Sequence, residues 1–171
     1  MRQNLSNFLR VFVFHRLFHN LYNMKNILLF LTLGLLLISC NKAEKQAQQD
    51  EEIIKQYISD HNLDAIETGT GLYVVINNPG TGASCNATSD VTVDYKGYFT
   101  EGTIFDESNS TGITFNLSGV IAGWTEGIPY FKEGGHGILL VPSALGYGDQ
   151  SNGGIPANTV LIFDVSLLEV L

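Results

Sequence analysis

The chain has 171 residues, 44% of them hydrophobic, and a formal net charge of −8, which suits one domain or one domain with appendages. The acidic balance repels phosphate backbones and argues against nucleic acid as a partner. Two cysteines, Cys40 and Cys85, are too few for a disulfide framework.

The N-terminus is an appendage. From Met24 the chain reads Met-Lys-Asn, then Ile27 to Ile38, apolar except for Thr32 and Gly34, then Ser39-Cys40. A charged start, a short apolar run and a small residue ahead of a cysteine form a secretory-signal pattern. The run falls short of the roughly 20 apolar residues that a bilayer-spanning helix needs. Leu37-Ile38-Ser39-Cys40 resembles the lipobox of bacterial lipoproteins. That resemblance makes residues 24–39 a signal peptide and Cys40 a lipidated first mature residue, and so implies a lipid anchor in the cell envelope. The plainer reading is an uncleaved anchor with an incidental thiol. Residues 1–23 precede a complete signal, have no place in it, and read as an over-extended start.

Cleavage ahead of Cys40 leaves five lysines against all 17 acidic residues, a net charge of −12. Such a charge keeps a tethered protein off anionic headgroups. Asn41 after the cysteine is compatible with sorting to an outer membrane, on its periplasmic or surface face. With Cys40 lipidated, Cys85 has no partner in the chain and reads as a packed or loop thiol.

Residues 40–49 read as a polar tether. From Asn41 to Gln49 no apolar side chain exceeds alanine, so the stretch cannot feed a core, and extended it spans at most about 30 Å. Residues 50–67 then read as a short helix and linker. Asp50 is placed to cap the helix, and Glu51 and Glu52 lie in the first turn, where the helix dipole favours negative charge. Ile54, Tyr57, Ile58 and His61 share one face at helical spacing. Docking of this stripe on the chain's own domain is favoured over a dimerising face, because an isolated helix of this length is marginal in water.

Strand signals follow. Gly71 to Ile76 is β-rich and ends at the turn Asn78-Pro79-Gly80. Val91, Val93, Tyr95 and Phe99 alternate with Thr92, Asp94 and Lys96, the period of two of a half-buried antiparallel strand. Only Val120 to Phe131 looks helical, and Gly127 and Pro129 cut it to a couple of turns. Leu161, Phe163, Val165 and Leu167 alternate with Asp164 and Ser166 in the last strand. Several antiparallel strands and one brief helix predict an α+β domain.

No phosphate loop, paired zinc-ligand spacing or nucleophile elbow is present. His61 and His136, the histidines beyond residue 39, read as surface or packed side chains. No metal or cofactor is called for, and chemistry must come from shape and desolvation.

Three strings stand out: Ile104-Phe105-Asp106, Val120-Ile121-Ala122-Gly123-Trp124, and Pro142-Ser143-Ala144-Leu145-Gly146-Tyr147-Gly148. Gly154-Ile155-Pro156 and Leu161-Ile162-Phe163-Asp164-Val165 follow them. In this order and spacing they resemble the FKBP-type peptidyl-prolyl cis/trans isomerases, the macrolide-binding immunophilins, over residues 68–171. The resemblance implies a curved antiparallel β-sheet wrapped around one short α-helix, and an isomerase that acts without covalent chemistry. Clients would be proline-containing polypeptides, with macrolides as possible ligands. Nothing in the chain resembles the long dimerising helix of some relatives, which makes a monomer the expectation.

Carried over residue by residue, the resemblance makes Trp124 the floor of an aromatic pocket and Tyr95, Phe105 and Phe163 its walls. Val120 and Ile121 form the rim, with the Ile121 N–H offered to a substrate carbonyl. Tyr147 binds the peptide through its hydroxyl, Ile155 closes the flap side, and Asp106 orients the Tyr95 phenol. Any one of these aromatics alone reads as core. Tyr147 between two glycines is the exception, since it falls in a loop with little packing need.

Two features depart from the family pattern. Ile113-Thr114-Phe115 keeps only the second of a usual aromatic pair, so one wall has Phe115 and an aliphatic neighbour. The loop at Ser118-Gly119 is short, which alters the rim. The alternative function is a non-catalytic chaperone that holds proline-containing or apolar segments in the same pocket. Only seven residues separate Tyr147 from Ile155, so the inserted domain that gives some relatives holding power has no counterpart there. A surface adhesin would change the protein's address and leave its chemistry as it is.

Overall fold

The computed structural model describes residues 42–171. Residues 1–23, the signal-like stretch 24–39 and Cys40 lie outside the described residues. Helix α1 covers residues 42–60, so the polar stretch expected as a tether is helical from residue 42 onward. Lys, Ala, Glu and Gln are strong helix formers, and beyond a formed helix each further residue needs propagation only, without new nucleation. Polarity kept these side chains out of the core without keeping them out of the helix. Asp50 is therefore no cap. It lies inside α1, fully buried, and its carboxylate accepts the Ser143 N–H at 2.8 Å.

Ile54 of α1 packs on Tyr73, Val75, Leu140 and Val160, with Tyr57 and Ile58 beside it. The apolar stripe thus docks on its own domain. His61, just past the helix, is exposed and stacks on the Tyr57 ring with 3.9 Å between centroids.

The strands are β1 (Ala65–Glu67), β2 (Tyr73–Asn78), β3 (Asp90–Tyr98), β4 (Ile104–Glu107), β5 (Ile113–Asn116), β6 (His136–Val141) and β7 (Leu161–Val170). They form one antiparallel sheet in the order β1-β2-β6-β7-β3-β4, with β5 also paired to β3. Helix α2 (Ala122–Gly127) runs straight into a 3-10 turn, Ile128–Tyr130, that contains Pro129. The helical segment is as short as the glycine and proline require.

Alternation along β6 divides the two layers. Leu139 and Val141 face the main core with α2, whereas Leu140 and Ile138 face α1. In β3 the buried positions Val91 and Val93 follow the predicted period. In β7, Leu161, Phe163, Val165 and Leu167 are buried as predicted, but Ile162, on the face of Asp164 and Ser166, is fully buried too. It pairs with Leu140, part of the cluster beneath α1, so this end of β7 is covered on both faces. The result is the expected α+β sheet with one short helix, plus α1 on the outer face.

Candidate active site

Two glycines let α2 lie close on the sheet. A Cβ at Gly123 would come within 2.5 Å of Val141 Cγ1, and one at Gly127 within 2.7 Å of Leu139 Cδ2. Between these close approaches α2 carries Trp124, which is 95% buried. The indole makes edge-to-face contact with Tyr95 of β3 (4.8 Å between centroids, 82°) and Phe163 of β7 (5.2 Å, 83°), and a tilted contact with Phe115 of β5 (5.4 Å). These are the geometries that ring quadrupoles favour. Phe105 of β4 meets Phe163 edge-on at 5.5 Å and is backed by Phe99 at 5.0 Å. Among the described residues the Trp124 N–H finds no acceptor.

These rings enclose a cavity of about 700 Å³ lined by Tyr95, Phe105, Asp106, Phe115, Val120, Ile121, Trp124, Tyr147, Ile155 and Phe163, together with Ile113, Gly119, Asn152 and Gly153. All ten pocket positions that the resemblance implied therefore meet around one space. Four lining residues were not assigned from the sequence. Ile113 and Gly119 had been noticed only as departures from the family pattern. Asn152-Gly153 carries a turn signal, and the chain does reverse there: Asn152 N donates to Ile155 O at 3.0 Å and Ile155 N to Asn152 O at 2.7 Å. That tight return holds the buried Ile155 against the cavity.

The wall carries one bonded polar pair. Tyr95 Oη donates to Asp106 Oδ2 at 2.7 Å. Burial, then the bond to Asp106 and the charges of Asp106 and Tyr147, hold the Tyr95 phenol well above its ordinary pKa, so it stays a neutral donor across the physiological range. The backbone behind it is braced as well: Tyr95 N donates to Ser108 Oγ at 2.9 Å, and Ser108 Oγ donates to Asp94 Oδ1.

At the rim, Ile121 precedes α2 with extended backbone, and among the described residues nothing accepts its N–H. An unpaired N–H at the edge of an apolar cavity suits a ligand carbonyl. Tyr147 comes from the loop after β6, where Gly148 adopts φ +61°. Cys85 is half-buried and packs at the edge of the core. Burial pushes its thiol up from the usual range, opposite to what a reactive thiolate needs.

An aromatic hollow with a few directed hydrogen-bonding groups, on an antiparallel sheet with one short helix, has the shape and chemistry to take a compact apolar group flanked by amides. The family model described as "FKBP-type peptidyl-prolyl cis-trans isomerase" matches residues 82–168. The chain belongs to that family.

Among curated relatives, "FKBP-type peptidyl-prolyl cis-trans isomerase FkpA" of Aeromonas hydrophila is 40% identical over 133 residues, which is 75% of this chain and 50% of the relative. FkpA of Escherichia coli (strain K12) is 39% identical over 133 residues, 75% of this chain and 49% of the relative. The chain thus spans about half the length of these curated relatives. The crystal structure of FkpA from Escherichia coli aligns with a TM-score of 0.65 and 38% identity, covering 75% of this chain and 62% of that one. A peptidyl-prolyl cis-trans isomerase from Pseudomonas syringae pv. tomato aligns with a TM-score of 0.66 and 29% identity, covering 74% and 94%.

Proposed function

We propose that this protein is a peptidyl-prolyl cis/trans isomerase that speeds X-Pro amide rotation in exported or envelope proteins. The observation that carries this reading is the convergence of Tyr95, Phe105, Trp124, Tyr147 and Phe163 on one cavity. Amide resonance imposes a barrier of ~18–20 kcal/mol and leaves uncatalysed X-Pro bonds interconverting over tens to hundreds of seconds. Resonance also separates charge across the planar amide. Twisting the bond reduces that separation, so an apolar cavity favours the twisted amide relative to water.

An acceleration of about 10³–10⁵ needs only about 4–7 kcal/mol of differential stabilisation. Trp124 is the floor on which the proline ring rests, and Tyr95, Phe105 and Phe163 are the walls. Phe115, Val120 and Ile121 form the rim, and Ile155 closes the far side. The free Ile121 N–H and the Tyr147 hydroxyl hold the peptide. Asp106, by accepting the hydrogen bond from the Tyr95 hydroxyl, fixes the phenol that faces the rotating carbonyl.

The address proposed is the cell envelope, through a lipid on Cys40, with the protein a monomer and macrolides competing for the cavity. The signal-like residues 24–39 support this address. Among the described residues no helix is long and apolar enough to cross a membrane.

Exchange NMR on a short X-Pro peptide tests the activity. The domain is expected to accelerate exchange, and Asp106→Ala, which frees the Tyr95 phenol, to lower kcat/KM about tenfold with the fold retained, the equivalent of one lost hydrogen bond to a charged group. Peptide binding without acceleration would replace the isomerase reading with that of a holding chaperone.

A further inference from the structure

Asp50 and Ser143 are the fully or nearly fully buried polar side chains among the described residues, and they are bonded to each other. Asp50 Oδ2 accepts the Ser143 N–H at 2.8 Å and the Ser143 hydroxyl at 2.6 Å. Asp50 Oδ1 accepts from Gln46 Nε2, one turn earlier in α1, at 2.8 Å. A carboxylate out of water is costly unless its lone pairs are taken up, and here three donors take them up. Apolar docking of α1 by Ile54 needs no such group, so the buried carboxylate calls for a separate explanation.

Ser143 opens the loop that carries Tyr147. Its carbonyl accepts Gly146 N at 3.0 Å and Gly148 N at 2.8 Å, the two residues on either side of Tyr147. Gly148 O in turn accepts Asn158 N at 2.7 Å, which ties the loop's far end. Asp50 therefore grips the N–H and hydroxyl of the residue whose carbonyl grips both neighbours of Tyr147.

From this chain of contacts we infer that Asp50 is a positioning residue: through its buried carboxylate, α1 sets the loop that places Tyr147 on the cavity wall. The inference rests on the reading of Tyr147 as a peptide-binding side chain. It makes α1 part of the working site, although no residue of α1 lines the cavity. Loops held by only a few hydrogen bonds open locally with little free energy, and the bonds to both neighbours of Tyr147 from the loop's near end run through one residue, Ser143. Loss of the carboxylate therefore loosens Tyr147 before it unfolds the sheet.

Amide hydrogen exchange without substrate, together with isomerase kinetics, tests this on Asp50→Ala, Asp50→Asn and Ser143→Ala. In Asp50→Ala the Gly146 and Gly148 amides are expected to exchange roughly tenfold faster while Val93 and Val165 keep their protection. The same variant is expected to raise KM about fivefold with kcat little changed, and to add nothing when combined with Tyr147→Phe, because coupled residues are non-additive. Asp50→Asn keeps a carbonyl oxygen for both Ser143 donors and is expected to restore the two amides. Should Asp50→Ala fail to fold, Ser143→Ala, which removes only the hydroxyl, must move the same two amides in the same direction.

Unchanged protection at Gly146 and Gly148, or protection lost only together with the strand amides, overturns the inference. Additive losses in the double variant do so as well. Exchange is read without turnover, so a wild-type protein that fails to accelerate the peptide defeats the isomerase reading, while the loop tie is decided by the amides alone.

Discussion

Trp124→Ala is expected to lower kcat/KM for an X-Pro peptide about a hundredfold, through loss of about 3 kcal/mol of the cavity's differential stabilisation. In the proposed reading the indole is the floor beneath the proline ring, and it contacts Tyr95, Phe115 and Phe163. Its removal opens the bottom of the hollow and unpins two of the walls. The fold weakens at the same time, by about 3–5 kcal/mol for a buried tryptophan cut to alanine, against a total of about 5–15 kcal/mol for a domain.

Trp124→Phe separates the two effects, since it keeps a ring on the floor and removes less volume. It is expected to retain activity within about tenfold of wild type at nearly full stability. The chain has one tryptophan, so wild-type fluorescence also reports directly on peptide entering the cavity. A folded Trp124→Ala protein with wild-type kcat/KM would show that rotation occurs somewhere other than over this floor.

Gly97→Ala is the second large effect expected. Gly97 lies on β3 opposite Phe163 of β7 and Asp106 of β4, against the Phe105 and Phe163 rings that line the cavity. A Cβ there would fall 2.6 and 2.7 Å from Phe105 Cε2 and Cζ and 2.8 Å from Phe163 Cε1. Both rings must move to admit one methyl group, and they are packed against each other at 5.5 Å.

At an open position in a strand, replacing glycine by alanine gains roughly 0.5–1 kcal/mol from backbone entropy. Here overpacking reverses the sign, to a loss of about 1–3 kcal/mol. Because a working site tolerates only about 0.5 Å of displacement, kcat/KM is expected to fall roughly tenfold along with stability. Urea midpoints and exchange NMR on the same preparation check this. A raised midpoint with unaltered kinetics would mean that Phe105 and Phe163 are not a packed wall.

Trp124, and the Phe105 and Phe163 rings beside Gly97, were named by the resemblance, whereas Gly97 itself was not; the strand faces and the length of α2 were legible for a local reason. Alternation along Val91–Tyr95 and Leu161–Leu167 records which face of each strand is buried, because successive side chains point to opposite sides. Gly127 and Pro129 limit α2 by their own backbone chemistry. The motif strings name the cavity's rings, and Asp106, adjacent to Phe105, reaches Tyr95 as the resemblance implied. Where the sequence reading went astray, one cause was local and the other distant. The polar stretch from residue 42 looked like a tether because its composition excludes it from a core, yet composition of that kind favours helix. Asp50 read as a helix cap because it stands just ahead of the apolar stripe, and Ser143, far away in sequence, bonds its carboxylate instead.

Residue types, strand period and the brevity of α2 were thus determined by consecutive stretches of sequence, since each depends on neighbours a few positions apart. The aromatic set was named by the resemblance of the motif strings. Tertiary structure alone decided that fourteen lining residues share one hollow of about 700 Å³. It alone decided that Asn152-Gly153 folds back to seat Ile155, and that a carboxylate expected to cap a helix is buried against Ser143. Asp50 and Ser143 are separated by 93 positions, and no local propensity encodes a contact of that range. It exists because α1 must bury Ile54 on the outer face of the sheet, and that docking carries the Asp50 carboxylate to the start of the Tyr147 loop.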